Sequence, residues 1–426
     1  MIWTMTRNEM NATLATLTND YCLDIKDPLW SAIRLNKDLM GVYHTPQVQQ
    51  LHLIKQLGPA YLVYPGAVHT RLCHSLGVYH LAKNIITSLL SRGKGEILSP
   101  EGIKDFLCAA LLHDVGHFPY AHSLKELPLR DHEALGASLI NDDNELHQAL
   151  LAGGFHPDRI CAIIDLKRKT DDKEIQYYRT LLSGSLDPDK LDYLTRDAYF
   201  TGVPYGTQDY DYIISHLTIT EEGKSALLYQ AESSLEQVLF SKYQMYQAVY
   251  WHEKVRCATA MIRKPLARML SNGTLKPEQL YSLDDYSFYY LALQNKDELY
   301  NLIDVTFNRL LPCRFEQSFD KNGLVEKKAS DITKREKVES AIFTLLQQNH
   351  PQLLSDQIII DIPEPISFEA NIPLVLSDGS TVSFADHDQL FKDDVKSRFI
   401  STLRKTRIFA PEYISEHEIN EALKHV

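Results

Sequence analysis

The chain has 426 residues, 44% hydrophobic and 23% charged, enough to bury a full core and carry a second, smaller lobe. A net charge of -12 excludes nucleic-acid binding through the phosphate backbone alone, which needs Lys and Arg to displace counterions, so any phosphate site must be local. The start lacks a signal-peptide run, no stretch reaches membrane-spanning length, and the six cysteines form no paired zinc motif, which predicts a soluble, cytoplasmic protein with reduced thiols.

Helical periodicity runs through most of the chain up to about residue 310, with breaks at Gly58-Pro59, Ser91-Arg92-Gly93, Lys167 to Lys173 and Ser271-Asn272-Gly273. A helix starting near Arg71 has apolar positions Val78, Leu81, Ile85, Ile86 and Leu89, which extrapolate backwards to His74 on the buried side. Arg71, one turn earlier, brings a guanidinium suited to phosphate. Ser99 can cap a second helix with Pro100 in its first turn. Its stripe of Ile103, Phe106, Leu107, Ala110 and Leu111 continues onto Asp114, with His113 close to the same face. A carboxylate aimed into a core is costly unless a charge meets it, and a divalent metal with His113 as a further ligand would meet it.

A third helix, starting after Ser185, places Asp189, Tyr193 and Asp197 on one face at a spacing of four, with Lys190 beside them. Leu217-Thr-Ile-Thr, Glu221-Glu-Gly-Lys and Ala226-Leu-Leu-Tyr read as a small hairpin set into the helices. Lys242, Tyr246 and Tyr250, again four apart, point a cation and two phenols in one direction. The charged segment Asp320 to Lys337 reads as a solvated loop. Beyond it Gln357 to Ile362 and Ile372 to Phe384 look like strands, with Asp378-Gly379 as a hairpin turn. The predicted architecture is mostly α: residues 1–310 form a helical core with an inserted β-hairpin, and residues 311–426 form a smaller α+β lobe.

Together His74, His113, Asp114 and Asp189 make a two-nitrogen, two-oxygen set that would hold one divalent ion with coordination positions left open, as a catalytic metal requires. Manganese, iron, zinc, nickel and magnesium are all compatible with these donors. His74, the His113-Asp114 pair and Asp189 also match the ordered motif of the HD superfamily. Ile25-Lys-Asp-Pro-Leu-Trp, Thr45-Pro-Gln-Val-Gln-Gln-Leu, Lys55-Gln-Leu-Gly, Tyr64-Pro-Gly-Ala-Val-His-Thr-Arg and His74-Ser-Leu-Gly resemble more narrowly the deoxynucleoside triphosphate triphosphohydrolases. That dGTPase-like family has bacterial members and a human one joining a sterile alpha motif to an HD domain. The resemblance runs from about Ile25 to Cys257.

The resemblance implies an HD-domain helical core in which those four residues ligate the metal and Arg71 and Lys190 hold phosphates. It places His117, His122 and His132 around the reacting α-phosphate, with His122 protonating the departing 5′ oxygen. Gln56, Tyr193 and Asp197 would contact the sugar, and Tyr250 would pack under it and exclude a 2′ hydroxyl. Lys242 and Tyr246 stand on the phosphate-side helix where the family has an arginine and a histidine. The implied reaction is metal-assisted attack of water on the α-phosphorus of a deoxynucleoside triphosphate, releasing inorganic triphosphate, in a homo-oligomer. Two further departures matter. Lys125 replaces an acidic residue expected to orient a catalytic histidine, with Glu126 next to it, and His44 and His52 replace an aspartate and an arginine that bind an activating nucleotide. The competing readings are an HD phosphohydrolase of another phosphate ester and a nucleotide-binding regulator with little turnover. More narrowly, the three histidines could hold a second metal, the cations could only pair with carboxylates, and the tyrosines could be ordinary core.

Overall fold

A mostly helical architecture is built around the Arg71–Ser91 helix, which is buried on most of its faces and packs against the Arg7–Asn19, Pro100–Leu112 and Pro188–Thr201 helices. The computed structural model describes residues 5–220, 222–366, 372–388 and 390–426. As the sequence predicts, the Ser99 hydroxyl caps the Pro100–Leu112 helix by accepting from the Gly102 amide at 2.9 Å, and Ile103, Phe106, Leu107, Ala110 and Leu111 are all buried. The helix then stops at Leu112, two residues before the Asp114 to which the stripe extrapolates. His113 caps it, and residues 113–116 form a turn that carries Asp114. Gly116 makes this turn possible, because a Cβ there would lie 2.1 Å from the His132 carbonyl oxygen and 2.3 Å from the Gly136 amide nitrogen. That close approach lays the His132–Asn141 helix directly on the turn.

Helical periodicity hides an N-terminal hairpin. Leu23–Asp27 and Ser31–Leu35 pair antiparallel, and their residues alternate in burial with period two. Asp27 makes the turn by accepting from the Leu29 and Trp30 amides at 2.9 Å each. The expected inserted hairpin is present as Leu217–Ile219 and Ser225–Leu228, although Glu221 of its turn lies outside the described residues. The tail adds two strands to it. Pro373–Val375 runs parallel to Ser225–Leu228, and Thr381–Ser383 closes the four-stranded sheet after a turn with Gly379 at φ 84°. Leu227 and Leu374 are fully buried, so this tail hairpin belongs to the main helical core.

The rest of the tail forms a three-stranded antiparallel sheet with Lys405–Phe409 between Cys313–Ser318 and Ile359–Asp361. The outer Cys313–Ser318 and the central Lys405–Phe409 strands carry Arg, Glu, Gln, Lys and Thr in place of an apolar run, which is why composition does not announce them. The solvated loop expected at Asp320 to Lys337 is not there. Leu324–Lys328 and the start of the Ile332–Gln347 helix occupy it, and the charged side chains of Glu326 and Arg335 are buried because each meets partners across the fold. We propose the division at residue 310 as a change in packing character, with the tail hairpin crossing back into the core. Among the described residues no helix is long and apolar enough to cross a membrane, and all six cysteines are free.

Asp361 joins the tail to the body. Fully buried on its strand, it takes Arg256 Nε at 2.8 Å and Nη2 at 2.5 Å, with Arg263 Nη2 at 3.4 Å. Removing one member of a buried pair leaves the other uncompensated, so Asp361→Ala should lower unfolding free energy by about 3–5 kcal/mol in urea denaturation. A loss under 1 kcal/mol would show that the arginines find water instead.

Candidate active site

Three separate elements bring the predicted donors together. His74 lies one turn into the Arg71–Ser91 helix, His113 and Asp114 lie on the turn after Pro100–Leu112, and Asp189 lies in the first turn of the Pro188–Thr201 helix capped by Asp187. His74 Nε2 is 2.9 Å from Asp189 Oδ1 and 3.3 Å from His113 Nε2, and His113 Nε2 is 3.5 Å from Asp114 Oδ1 and 3.9 Å from Asp189 Oδ1. Both imidazoles have a set orientation. His113 Nδ1 donates to the Ala110 carbonyl at 2.9 Å and His74 Nδ1 donates to Asp192 Oδ2 at 2.8 Å, so each ring turns Nε2 to the common centre. Burial alone would hold His74 neutral, but Asp189 and Asp192 outweigh it and push its pKa to about 10. The imidazolium thus supplies the positive charge that this carboxylate pair demands, as a cation would. His74, His113 and Asp114 each offer a donor atom within 4.8 Å of one another, a mixed nitrogen–oxygen set that fits a divalent ion.

Behind His74 stands a second layer that sequence reasoning missed. Asp192, fully buried, accepts from His74, from Trp30 Nε1 at 2.5 Å and from Arg196 Nε and Nη2 at 2.8 and 2.9 Å, while Arg196 Nη1 reaches Asp27 at 2.8 Å. The i, i+4 spacing of Asp192 and Arg196 was readable, but nothing local linked it to Trp30 in the N-terminal hairpin. Gly77 makes room for the network, since a Cβ there would lie 1.9 Å from Asp192 Oδ1 and 2.6 Å from Arg196 Nη2.

The cluster opens on a cavity of about 710 Å³. Arg71 lines it, with Nη1 on Asp114 Oδ2 at 2.7 Å; Lys190 lines it with Nζ on Asp187 Oδ2 at 2.7 Å. Both predicted phosphate cations are therefore paired with carboxylates here, and the buried Arg71 Nε has no hydrogen-bond partner among the described residues. His122 and His132 also line the cavity; His117 lies behind them, its Nε2 3.1 Å from His122 Nε2 and its Nδ1 3.3 Å from Asp114 Oδ1. Burial first, and then the Arg71 charge, holds His117 well below the usual histidine range, and burial lowers His132 to about 4 despite Asp114. Both are neutral at pH 7, whereas His122 is the ring of the three that is exposed to solvent in the cavity.

Lys242, Tyr246 and Tyr250 reach the cavity together through an unexpected geometry. The Glu232–Met245 helix gives way to a π-helical turn at Tyr246–Tyr250, a wider coil than the regular helix the spacing assumes. Tyr250 donates to Asp197 Oδ2 at 2.7 Å, and its ring lies 6.2 Å from Tyr193 and 5.0 Å from Tyr246. His69, which sequence reasoning left without a role, holds the other oxygen of Asp197 at 2.9 Å and stacks on Phe200 at 4.6 Å. The signal for His69 was the buried carboxylate itself, since Asp197 on an inward face needs a donor from elsewhere. Gln56 lines the same cavity; its backbone amide donates to the His69 carbonyl at 3.0 Å, and its buried side-chain Oε1 has no partner among the described residues. His44 and His52 do not line this cavity.

If the cluster holds a metal through His74, loss of the carboxylate behind that ring should weaken it. Asp192→Asn should reduce divalent-ion affinity about 10- to 100-fold, and Gly77→Ala should do the same by displacing Asp192. Competition against a fluorescent chelator would read this; unchanged affinity in both variants would detach the second layer from the site.

Comparison with known proteins fits this geometry. The model of the HD domain matches residues 71–198, which hold all four donor residues, and the model of an HD associated region matches residues 208–408. The uncharacterised protein YwfO of Bacillus subtilis is 35% identical over 246 residues, covering 57% of this chain and 55% of that protein. An uncharacterised protein of Methanocaldococcus jannaschii is 31% identical over 283 residues, 66% of this chain and 57% of its own length, so the chain spans little more than half of these curated relatives. The deoxynucleoside triphosphate triphosphohydrolase SAMHD1 of Bos taurus is 45% identical over 101 residues, 23% of this chain and 17% of that protein. A solved structure of a hypothetical protein from Aquifex aeolicus superposes with a TM-score of 0.71 at 25% identity, over 94% of this chain and 99% of that one. The fold, the matched segments and the His-Asp cluster within them show that this chain carries an HD domain over residues 71–198 followed by an HD associated region over residues 208–408.

Proposed function

We propose that this chain is a metal-dependent phosphohydrolase whose substrate is a deoxynucleoside triphosphate, cleaved to the deoxynucleoside and inorganic triphosphate. One observation carries the reading: histidine and aspartate donors converge at the wall of a cavity of about 710 Å³ that also presents Arg71, Lys190, Lys242 and a group of tyrosines. The volume suits a small-molecule site, and its lining offers cations for phosphates and phenol rings for a sugar, as a nucleotide requires. His74, His113, Asp114 and Asp189 would hold the divalent ion. Bound there, it would supply Lewis-acid polarisation of a phosphate oxygen and a water of lowered pKa.

The chain's own residues would do the remaining work. Arg71, Lys190 and Lys242 offset charge that grows on the phosphate oxygens as water attacks the α-phosphorus. His122 is exposed to the cavity, and the Arg71 charge nearby opposes its protonation in the free site. A polyphosphate beside it reverses that balance and favours the imidazolium, which can then protonate the departing 5′ oxygen. His117 and His132, packed on it with ring centroids 4.9 and 5.4 Å away, keep its ring in place. Tyr250, fixed by Asp197 and ultimately by His69, presents its ring to the sugar alongside Tyr193, Tyr246 and Gln56. A homo-oligomer follows from the resemblance alone, and a cytoplasmic location rests on the unpaired cysteine pattern.

Incubating the protein with each deoxynucleoside triphosphate and manganese, and separating the products by ion exchange, should show inorganic triphosphate. Pyrophosphate release would point to a different cleavage, and silence across all metals would favour a nucleotide-binding regulator. His113→Ala and Asp114→Ala should each abolish bound metal and turnover together, since each removes a ligand; full metal content in both variants would refute the assignment. Tyr250→Ala should raise the rate on ribonucleoside triphosphates relative to deoxy substrates at least tenfold, and an unchanged ratio would remove Tyr250 as the sugar gate.

A further inference from the structure

Lys125 occupies the position where an acidic side chain would orient a catalytic histidine, and the carboxylate next to it, on the wall of the same cavity, is held by arginines and not by a histidine. Glu126 instead accepts two hydrogen bonds from Arg335, Nη1 to Oε2 and Nη2 to Oε1, both at 2.9 Å. Its Oε2 also lies 2.6 Å from Arg263 Nη1. Arg335 comes from the Ile332–Gln347 helix, 209 residues along the chain, and Arg263 from the Glu253–Ser271 helix. Both guanidinium groups are buried, at 3% and 4% exposure, and Arg263 continues to Asp361 on the tail strand Ile359–Asp361.

A paired arginine fork fixes both the position and the angle of the carboxylate it holds. Here that carboxylate lies four residues after His122 and six before His132. Leu124 and Leu127 of the same segment are buried in one apolar cluster with Met261, Ile262, Ile359 and Phe409. The segment carrying these histidines is thus fastened on its outer side to the tail and on its inner side, through His117, to Asp114.

We propose that Glu126, Arg335 and Arg263 are positioning residues, and that the C-terminal segment serves the active site by clamping the 117–132 loop against the His-Asp cluster. The kinetic consequence rests on the phosphohydrolase reading above. Misplacing a reacting group by about 1 Å can cost on the order of 100-fold in rate, so turnover is sensitive to the clamp although none of the three residues touches the donor cluster.

The test uses the full chain with Arg335→Met, which keeps the apolar stem, and the milder Arg335→Lys and Glu126→Gln. Hydrogen–deuterium exchange followed by mass spectrometry should show at least tenfold faster exchange confined to residues 118–131 in Arg335→Met, with the 71–91 helix still protected. On deoxynucleoside triphosphates kcat should fall about 10- to 100-fold with KM within threefold and metal content unchanged, and Arg335→Lys and Glu126→Gln should lie between Arg335→Met and the wild type. Unchanged loop exchange overturns the proposal, as does a uniform increase along the whole chain, or a freed loop with unaltered kcat. If the wild-type protein releases nothing from any deoxynucleoside triphosphate, the substrate reading fails, while loop exchange still decides whether the clamp exists.

Discussion

The structure depends on one buried carboxylate. Asp192 has no access to water, and a charge so placed is tolerated only where donors surround it. Four nitrogens do so: one from His74, one from Trp30 and two from Arg196. Each belongs to an element that would otherwise be placed only by apolar packing, which is tolerant of small shifts. The directional bonds are not, so the N-terminal hairpin, the central helix and the Pro188–Thr201 helix are held in one register, and that register places the ring of His74 opposite Asp189.

The same logic recurs around the cavity. Asp197 sits between His69 and Tyr250, Asp114 between Arg71 and the histidines, Glu126 between two arginines, and Asp361 between Arg256 and Arg263. In each case a buried or half-buried carboxylate joins segments distant in the chain. The result is a wall with an uneven distribution of charge. Carboxylates dominate where His74 is driven to carry a proton, whereas burial and Arg71 keep His117 and His132 neutral a short distance away. A cation suits the first region and an anion the second. Both are needed side by side for metal-assisted attack on a phosphate.

The tail has two roles in this arrangement. Its hairpin extends the inserted sheet and is buried in the main core, and its helix and strand reach the loop that carries the histidines. The matched HD associated region spans both, which agrees with a segment that folds onto the helical body at several places.

Much of the donor set was legible in the sequence because burial follows helical periodicity. His74 lies on the apolar face of its helix, Asp189 follows a recognisable cap, and the Ser99 cap and the stripe after it led to His113 and Asp114. What periodicity could not supply was the point at which a helix stops. The Pro100–Leu112 helix ends before His113, and a π turn interrupts the helix at Tyr246, because both breaks answer to packing partners remote in sequence. The N-terminal hairpin was masked by short strands, and the charged strands and helices of the tail had no apolar signature. Tertiary structure alone decided which charges pair: Asp192 with Trp30, His69 with Asp197, and Glu126 with Arg335. Local sequence constrains backbone dihedrals and the face a side chain occupies, whereas the partner of a buried charge is set by whichever distant donor the completed fold brings within hydrogen-bonding distance.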